Sequence, residues 1–188
     1  MKRNLIVPLC FLFALVAHAQ TSTVEKSIFG IQAGFLGVWM NNESRLSPGI
    51  SLRTEIGFDS EIFGGIFYEK TGFIMAPVLT LEPRLYYNLE KRNSNSKDIK
   101  NNSGNFLGIK ISYSPDWFLI SNYDDVKIVD QVSVIPKWGI RRTFQTHFNF
   151  EAGGGVGYRY YFANPAAGYP TGEGEPTLDL HLRIGYRF

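Results

Sequence analysis

The C-terminal segment alternates without a break. Over residues 177–188, Leu178, Leu180, Leu182, Ile184, Tyr186 and Phe188 fall on one side, and Asp179, His181, Arg183, Gly185 and Arg187 fall on the other. Side chains of a strand point to opposite faces in turn, whereas a helix would scatter both sets around its surface. The segment therefore reads as a strand with one apolar and one polar face. Strands of this kind must either enclose their apolar faces in a core or turn them towards an apolar surrounding.

The same period recurs upstream. Residues 50–59 set Ile50, Leu52, Ile56 and Phe58 against Ser51, Arg53, Glu55, Gly57 and Asp59. Residues 79–90 set Leu79, Leu81, Pro83, Leu85, Tyr87 and Leu89 against Thr80, Glu82, Arg84, Tyr86, Asn88 and Glu90. Residues 107–113, 132–141 and 148–162 behave alike, with Lys110, Lys137, Arg141, Glu151 and Arg159 on their polar sides. A first strand over 27–39 places Phe29, Ile31, Ala33, Phe35 and Trp39 on one face, and an eighth candidate covers 61–69. Connections are expected near 40–46, 59–60, 70–75, 91–103, 115–127, 143–146 and 164–176. The Asn-, Ser- and Lys-rich stretch 93–104 predicts a flexible loop. Pro83 and Pro136 cannot donate a ladder hydrogen bond and predict bulges. Several strands reach ten residues, above the usual ~5–6 and matching the ~9–11 of a membrane-crossing strand.

Composition narrows the class. The chain has 188 residues, 44% hydrophobic, 15% aromatic and 19% charged, with 19 glycines. Abundant apolar and aromatic residues exclude disorder, and glycine with aromatics disfavours a coiled coil. At the N-terminus, Lys2 and Arg3 precede an apolar run over 5–17 and the string Ala17-His18-Ala19. This pattern predicts a secretory signal peptide, residues 1–19, leaving one domain over 20–188. Its removal takes away Cys10 and two of the 19 basic residues, which then balance the 17 acidic ones. A neutral mature chain has no electrostatic motive for binding nucleic acid. No other apolar run is long enough for a membrane helix.

Periodicity alone allows two opposite rings of strands. In a soluble lipocalin-like barrel the apolar face lines the interior; in a membrane barrel it meets lipid. The polar face favours the second, because Gly153, Gly155 and Gly157 beside Glu151 and Arg159 suit a narrow lumen where small and large residues interleave. Aromatics also gather towards strand ends: Trp39, Tyr113, Trp117, Tyr160 and Phe162 on one rim, Tyr87, Phe148, Phe150, Tyr186 and Phe188 on the other. With Trp138 they read as a double aromatic girdle.

The final Tyr186-Arg187-Phe188 resembles the C-terminal assembly signal of Gram-negative outer-membrane barrels, with Tyr186 and Phe188 as its aromatic positions. The mature chain is similar to the small eight-stranded barrels of the OmpA/OmpX/OmpW type. The strings Leu81-Glu82-Pro83-Arg84 and Pro136-Lys137-Trp138-Gly139-Ile140-Arg141-Arg142 resemble a family of small barrels. The resemblance implies an all-β fold, an antiparallel eight-stranded up-and-down transmembrane β-barrel in the outer membrane, with both termini on the periplasmic side. Its implied partners are outer-membrane lipid, the barrel-assembly machinery and an unidentified envelope or surface protein. The long connection 91–103 would then fall on the side where turns are usually short.

Eight strands enclose a space that side chains can fill. The expected inward set holds Arg53, Arg84, Lys110, Lys137, Arg141, Arg159, Arg183 and Arg187 with Glu55, Asp59, Glu82, Glu90, Glu151, Asp179 and His181. Buried charges must pair, so a closed salt-bridge network is expected, with a narrow solute path as the alternative. His181 beside Asp179 offers a possible base, but no serine shares its strand face and no His-x-Ser string occurs, so no catalytic residue is assigned. Asp116, Asp124, Asp125 and Asp130 lack the spacing of a calcium loop. No cofactor is expected. The reading is a non-catalytic structural or surface-interaction protein; a narrow pore, a lipid-modifying enzyme and a soluble ligand-binding barrel remain as alternatives.

Overall fold

The computed structural model describes residues 22–63, 71–123 and 126–188, and the signal-peptide assignment lies outside them. The chain forms an all-β, antiparallel sheet of nine strands that closes into a ring. The strands are β1 (Ser27–Gly34), β2 (Gly37–Ser47), β3 (Ile50–Phe63), β4 (Gly72–Tyr86), β5 (Asn105–Ser114), β6 (Ile120–Ser121), β7 (Gln131–Phe144), β8 (Phe148–Tyr161) and β9 (Glu173–Arg187). Eight of them follow one another around the ring, and β1 closes on β9. The two-residue β6 pairs only with the outer end of β4.

Several boundaries differ from expectation: β4 begins at Gly72, inside the connection expected near 70–75, β9 begins at Glu173, inside the one expected near 164–176, and others shift around the β1–β2 turn and at residues 59–60. The apolar alternation Phe29, Ile31, Ala33, Phe35 runs straight into a two-residue turn at Phe35 and Leu36, so the sequence shows no break where the chain reverses. The turn also flips parity: Ala33 pairs with Val38 and Gln32 with Trp39. Trp39 therefore faces inwards and is 4% exposed, which removes it from the girdle. Residues 40–46 belong to β2 rather than to a connection. Their outward positions Asn42 and Ser44 are polar and hydrogen-bond one another at 2.7 Å, which erases the period-two signal. Conversely, the expected break at 59–60 is absent, since β3 runs on through Asp59 and Ser60. Of the strand expected at 61–69, residues 61–63 are instead the end of β3, and residues 64–69 lie outside the described residues.

Pro83 and Pro136 interrupt ladders without bulging them. The β4–β5 pairing skips Glu82 and Pro83 but keeps its register from Leu81↔Ile111 to Arg84↔Gly108. The β7–β8 pairing likewise skips Ile135 and Pro136 between Val134↔Tyr158 and Lys137↔Gly155. One missing donor costs one bond, and the neighbouring strand on the other side still pairs with each proline.

Outside the ring stand Leu79, Leu81, Leu107, Ile109, Ile111, Val134, Val156, Leu178, Leu180, Leu182 and Ile184, all 37% exposed or more. Inside stand the charges. Glycines make room for them: a Cβ on Gly139 would lie 2.4 Å from Phe106 Cζ, and one on Gly153 would lie 2.8 Å from His181 Cε1.

The connections sort into two ends. One end carries the β1–β2 turn, the β3–β4 connection, and the loops at 115–130 and 162–172. The other carries the chain's N-terminal segment, the 48–49 turn, the 87–104 connection, the 145–147 turn and Phe188. We call them the loop end and the terminal end.

Candidate functional site

The 87–104 connection is a plug and not a flexible loop. It contains helix α1 (Leu89–Ser94) and a short 3-10 turn (Lys100–Asn102). Leu89, at 0% exposure, joins Val24, Tyr86 and Phe106 in a small apolar core, with Ile99 packed against it. That removes Leu89 from the outer face, and Glu90 points to solvent from α1 instead of into the interior. Asn101 and Asn102 take left-handed conformations (φ 54° and 55°), which asparagine tolerates better than most residues. The bend lets Asn102 Nδ2 donate to Glu43 at 2.7 Å and its Oδ1 accept from Glu25 N at 2.7 Å. Arg187 bonds Asn101 Oδ1 and pairs with Glu25 at 3.0 Å. The N-terminal segment, the plug and the last strand are thus laced together at the terminal end.

Above the plug lies a layer of arginines and glutamates. Glu43, on β2, accepts from Arg141 Nη1 at 2.7 Å, Ser51 Oγ at 2.8 Å and Asn102. Arg84 grips Glu151 with both terminal nitrogens, at 2.9 and 2.8 Å, and donates Nε to Glu82 at 2.8 Å. Its guanidinium also lies 4.1 Å from the Phe106 ring centroid. Arg53 bonds Glu55 and Gln32, and lies 3.6 Å from Glu151 and 3.8 Å from Glu43. Arg183 reaches Glu55 at 3.0 Å, with its guanidinium stacked 3.7 Å from the Trp39 ring. Trp39 Nε1 donates to Asp59 at 2.7 Å. Bidentate and stacked contacts of this kind are what a guanidinium offers and an ammonium does not.

A second layer sits nearer the loop end. Lys110 and Lys137 each donate to Asp179 at 2.8 Å. His181 Nδ1 lies 3.0 Å from Lys137 Nζ and 3.1 Å from Asp179, and its Nε2 lies 3.5 Å from Glu151. Those neighbours hold the imidazole between the two layers. Arg159 stands higher still, 3.6 Å from Glu61 and partly exposed.

The structure therefore brings together Arg53, Glu55, Glu82, Arg84, Lys110, Lys137, Arg141, Glu151, Asp179, His181 and Arg183. Arg159 and Arg187 stand apart from them, one towards each end. Glu43, Gln32 and Trp39 complete the network. Glu43 is fully buried and touches three arginines, yet it fell in an expected loop, and only its two-residue offset from Asn41 and Arg45 marked it.

Of the aromatic side chains expected at the girdle, Tyr87, Tyr113, Trp138, Phe148, Tyr160, Phe162, Tyr186 and Phe188 stand exposed on the outside. Trp138 Nε1 donates to Tyr87 Oη at 2.8 Å near the terminal end. Tyr186 packs on Phe148 at 5.2 Å and on Phe188 at 5.6 Å, and Phe188 packs on Phe29 at 5.6 Å. Tyr113 Oη donates to Asp130 at 2.9 Å towards the loop end, where Tyr160 packs on Phe162. Asp130 also accepts from Asp116 N at 3.1 Å, so these two acids order a loop. Asp124 and Asp125 lie outside the described residues. Among the described residues no group of three or more His, Cys, Asp or Glu side chains is placed to hold a metal ion.

Towards the loop end the interior opens into a cavity of about 970 Å³ whose lining includes Trp39, Lys110, Asp179, His181 and Arg183. No family model, curated protein or solved structure matches the chain.

Proposed function

We propose that the chain is an integral outer-membrane protein, an eight-stranded up-and-down β-barrel with a non-catalytic structural or surface-interaction role. The observation that carries this reading is the inversion of the fold: charges line the inside of the closed ring and a mostly apolar surface faces out. A soluble protein would leave that much contiguous apolar surface in water at a large cost.

The dimensions agree. From Leu178 to Phe188 every second side chain of the last strand is apolar and outward. Ten steps of ~3.3 Å at a tilt of ~40° rise ~25 Å, the height of the apolar band on such barrels. Aromatic side chains cluster towards both ends of that band, as an interfacial belt requires. No helix among the described residues is long and apolar enough to cross a membrane, so strands would have to do so.

The interior supports a closed barrel over a pore. Arg53, Arg84, Glu43 and Glu151 cross the ring as a set of ion pairs, and the 87–104 plug lies over the terminal end. In this reading the termini face the periplasm, barrel-assembly machinery reads Tyr186 and Phe188, and the loop end meets the outside.

The test is a band-shift assay on the membrane fraction, run in SDS with and without boiling. A folded barrel migrates differently unheated. A protein that is soluble after export and shows no shift sinks the proposal.

A further inference from the structure

The wall of the ring has a notch. β1 pairs with β9 only from Gly30↔Arg187 to Gly34↔Arg183, although β9 begins at Glu173. Along the other flank, β2 pairs with β3 only as far as Gly37↔Asp59, while β3 continues to Phe63. The short β1–β2 hairpin therefore stops partway up the wall. Among the described residues no strand pairs with the β1-facing edge of β9 over residues 173–182.

The cavity passes through this notch. Its lining contains Asp179, His181 and Arg183 from the inner face of β9, and Leu178, Leu180 and Leu182 from the outer face. Alternate residues of one strand point to opposite sides of the sheet. A cavity that touches six consecutive residues beside an edge left unpaired among the described residues reaches past that edge to the outer leucines. The hairpin tip gives an independent sign. Turns in water favour Gly, Asn and Asp, but this tip is Phe35 and Leu36, with Phe35 80% exposed. Such a tip belongs in an apolar layer, so the notch opens below the membrane surface.

The polar end of the cavity has a donor to spare. Lys110 Nζ carries three N–H donors but, among the described residues, has one hydrogen-bond acceptor, Asp179, which it shares with Lys137. An anionic oxygen in the cavity would find this ammonium, and a chain attached to it would leave through the notch onto the leucines.

We propose that this notch is a lateral port, and that the cavity binds a long-chain carboxylate with its head at Lys110 and its tail along Leu178, Leu180 and Phe35. The inference rests on the membrane reading.

The test uses the full mature protein in phosphatidylcholine nanodiscs with 11-(dansylamino)undecanoate as the fluorescent probe. Saturable emission above protein-free discs is expected, with palmitate displacing the probe at least about tenfold more effectively than hexadecanol. Lys110→Gln is expected to weaken palmitate about tenfold and leave hexadecanol unchanged, while Leu180→Asn weakens both. Each variant is first checked for the heat-dependent band shift. A protein that keeps the shift but binds no probe overturns the port alone. So does equal displacement by acid and alcohol, or binding indifferent to Leu180→Asn. Loss of the shift in the parent protein overturns the membrane reading and the port with it.

Discussion

Glu43→Gln isolates the worth of one interior charge. The substitution keeps the side chain's shape and one acceptor oxygen but removes the negative charge. Arg141 then loses a charge-assisted partner at 2.7 Å, and Arg53 and Arg84 lose a counter-charge at 3.8 and 3.7 Å. The interior holds six buried cations, Arg53, Arg84, Lys110, Lys137, Arg141 and Arg183, against five buried carboxylates, Glu43, Glu55, Glu82, Glu151 and Asp179. Removing one carboxylate widens that imbalance at a position with no exposed surface. Breaking a buried pair by deleting one partner costs about 3–5 kcal/mol. Removing the cation as well, in Glu43→Gln with Arg141→Met, should restore half of that or more, since the orphaned charge is the larger part of the loss. Urea unfolding in lipid vesicles, followed by tryptophan emission and by the band shift, would measure both variants. A loss below ~1 kcal/mol for Glu43→Gln, with no recovery in the double variant, would show an interior hydrated well enough to screen its charges. The closed-network argument would then fail.

Three further outcomes follow from named contacts. Brominated lipid should quench Trp138, which is 45% exposed on the outer face, and spare Trp39, which is buried against Arg183; single-tryptophan variants separate the two signals. Leu182→Arg should destabilise the protein in vesicles by up to ~2–4 kcal/mol if that face meets lipid, whereas a surface arginine in water costs almost nothing; equal stability would reject the lipid-facing assignment. Gly139→Val would set new carbon against the Phe106 ring, at a cost of ~1–3 kcal/mol, and Phe106→Leu in the same chain should relieve part of it.

The all-β class and the sidedness of most strands were legible because residue type alternates with position. Leu178 to Phe188 shows this best: each apolar residue of the sequence pattern is outward in the structure, and each polar one inward or at the terminal end. Legibility failed where parity changes or where polar residues face out. Nothing in Phe35-Leu36 looks like a turn, so Trp39 kept the wrong face and β2 vanished into a loop, taking Glu43 with it. The plug failed for another reason. Residues 93–104 have the composition of a solvated loop, and only the lengths of the neighbouring strands could have shown that this loop must fold back over the ring. Asn101 and Asn102 are buried there because their amides replace water on Glu25, Glu43 and Arg187, which composition does not record.

The seam between β1 and β9 bears on how the molecule comes to exist. Its partners stand at opposite ends of the chain, and so do Arg187 and Glu25, while Arg183 and Glu55 are 128 residues apart. Until the ring closes, the polypeptide carries charges that have no counterparts yet. Such long sequence separations make closure slow, and every half-built intermediate offers two raw sheet edges to its neighbours. The seam's ladder is also the shortest in the circuit, so it is expected to zip last and to fray first. Lifespan of the folded protein should then depend on how often that one short zipper opens, and a substitution there would change the rate of turnover before it changed the shape.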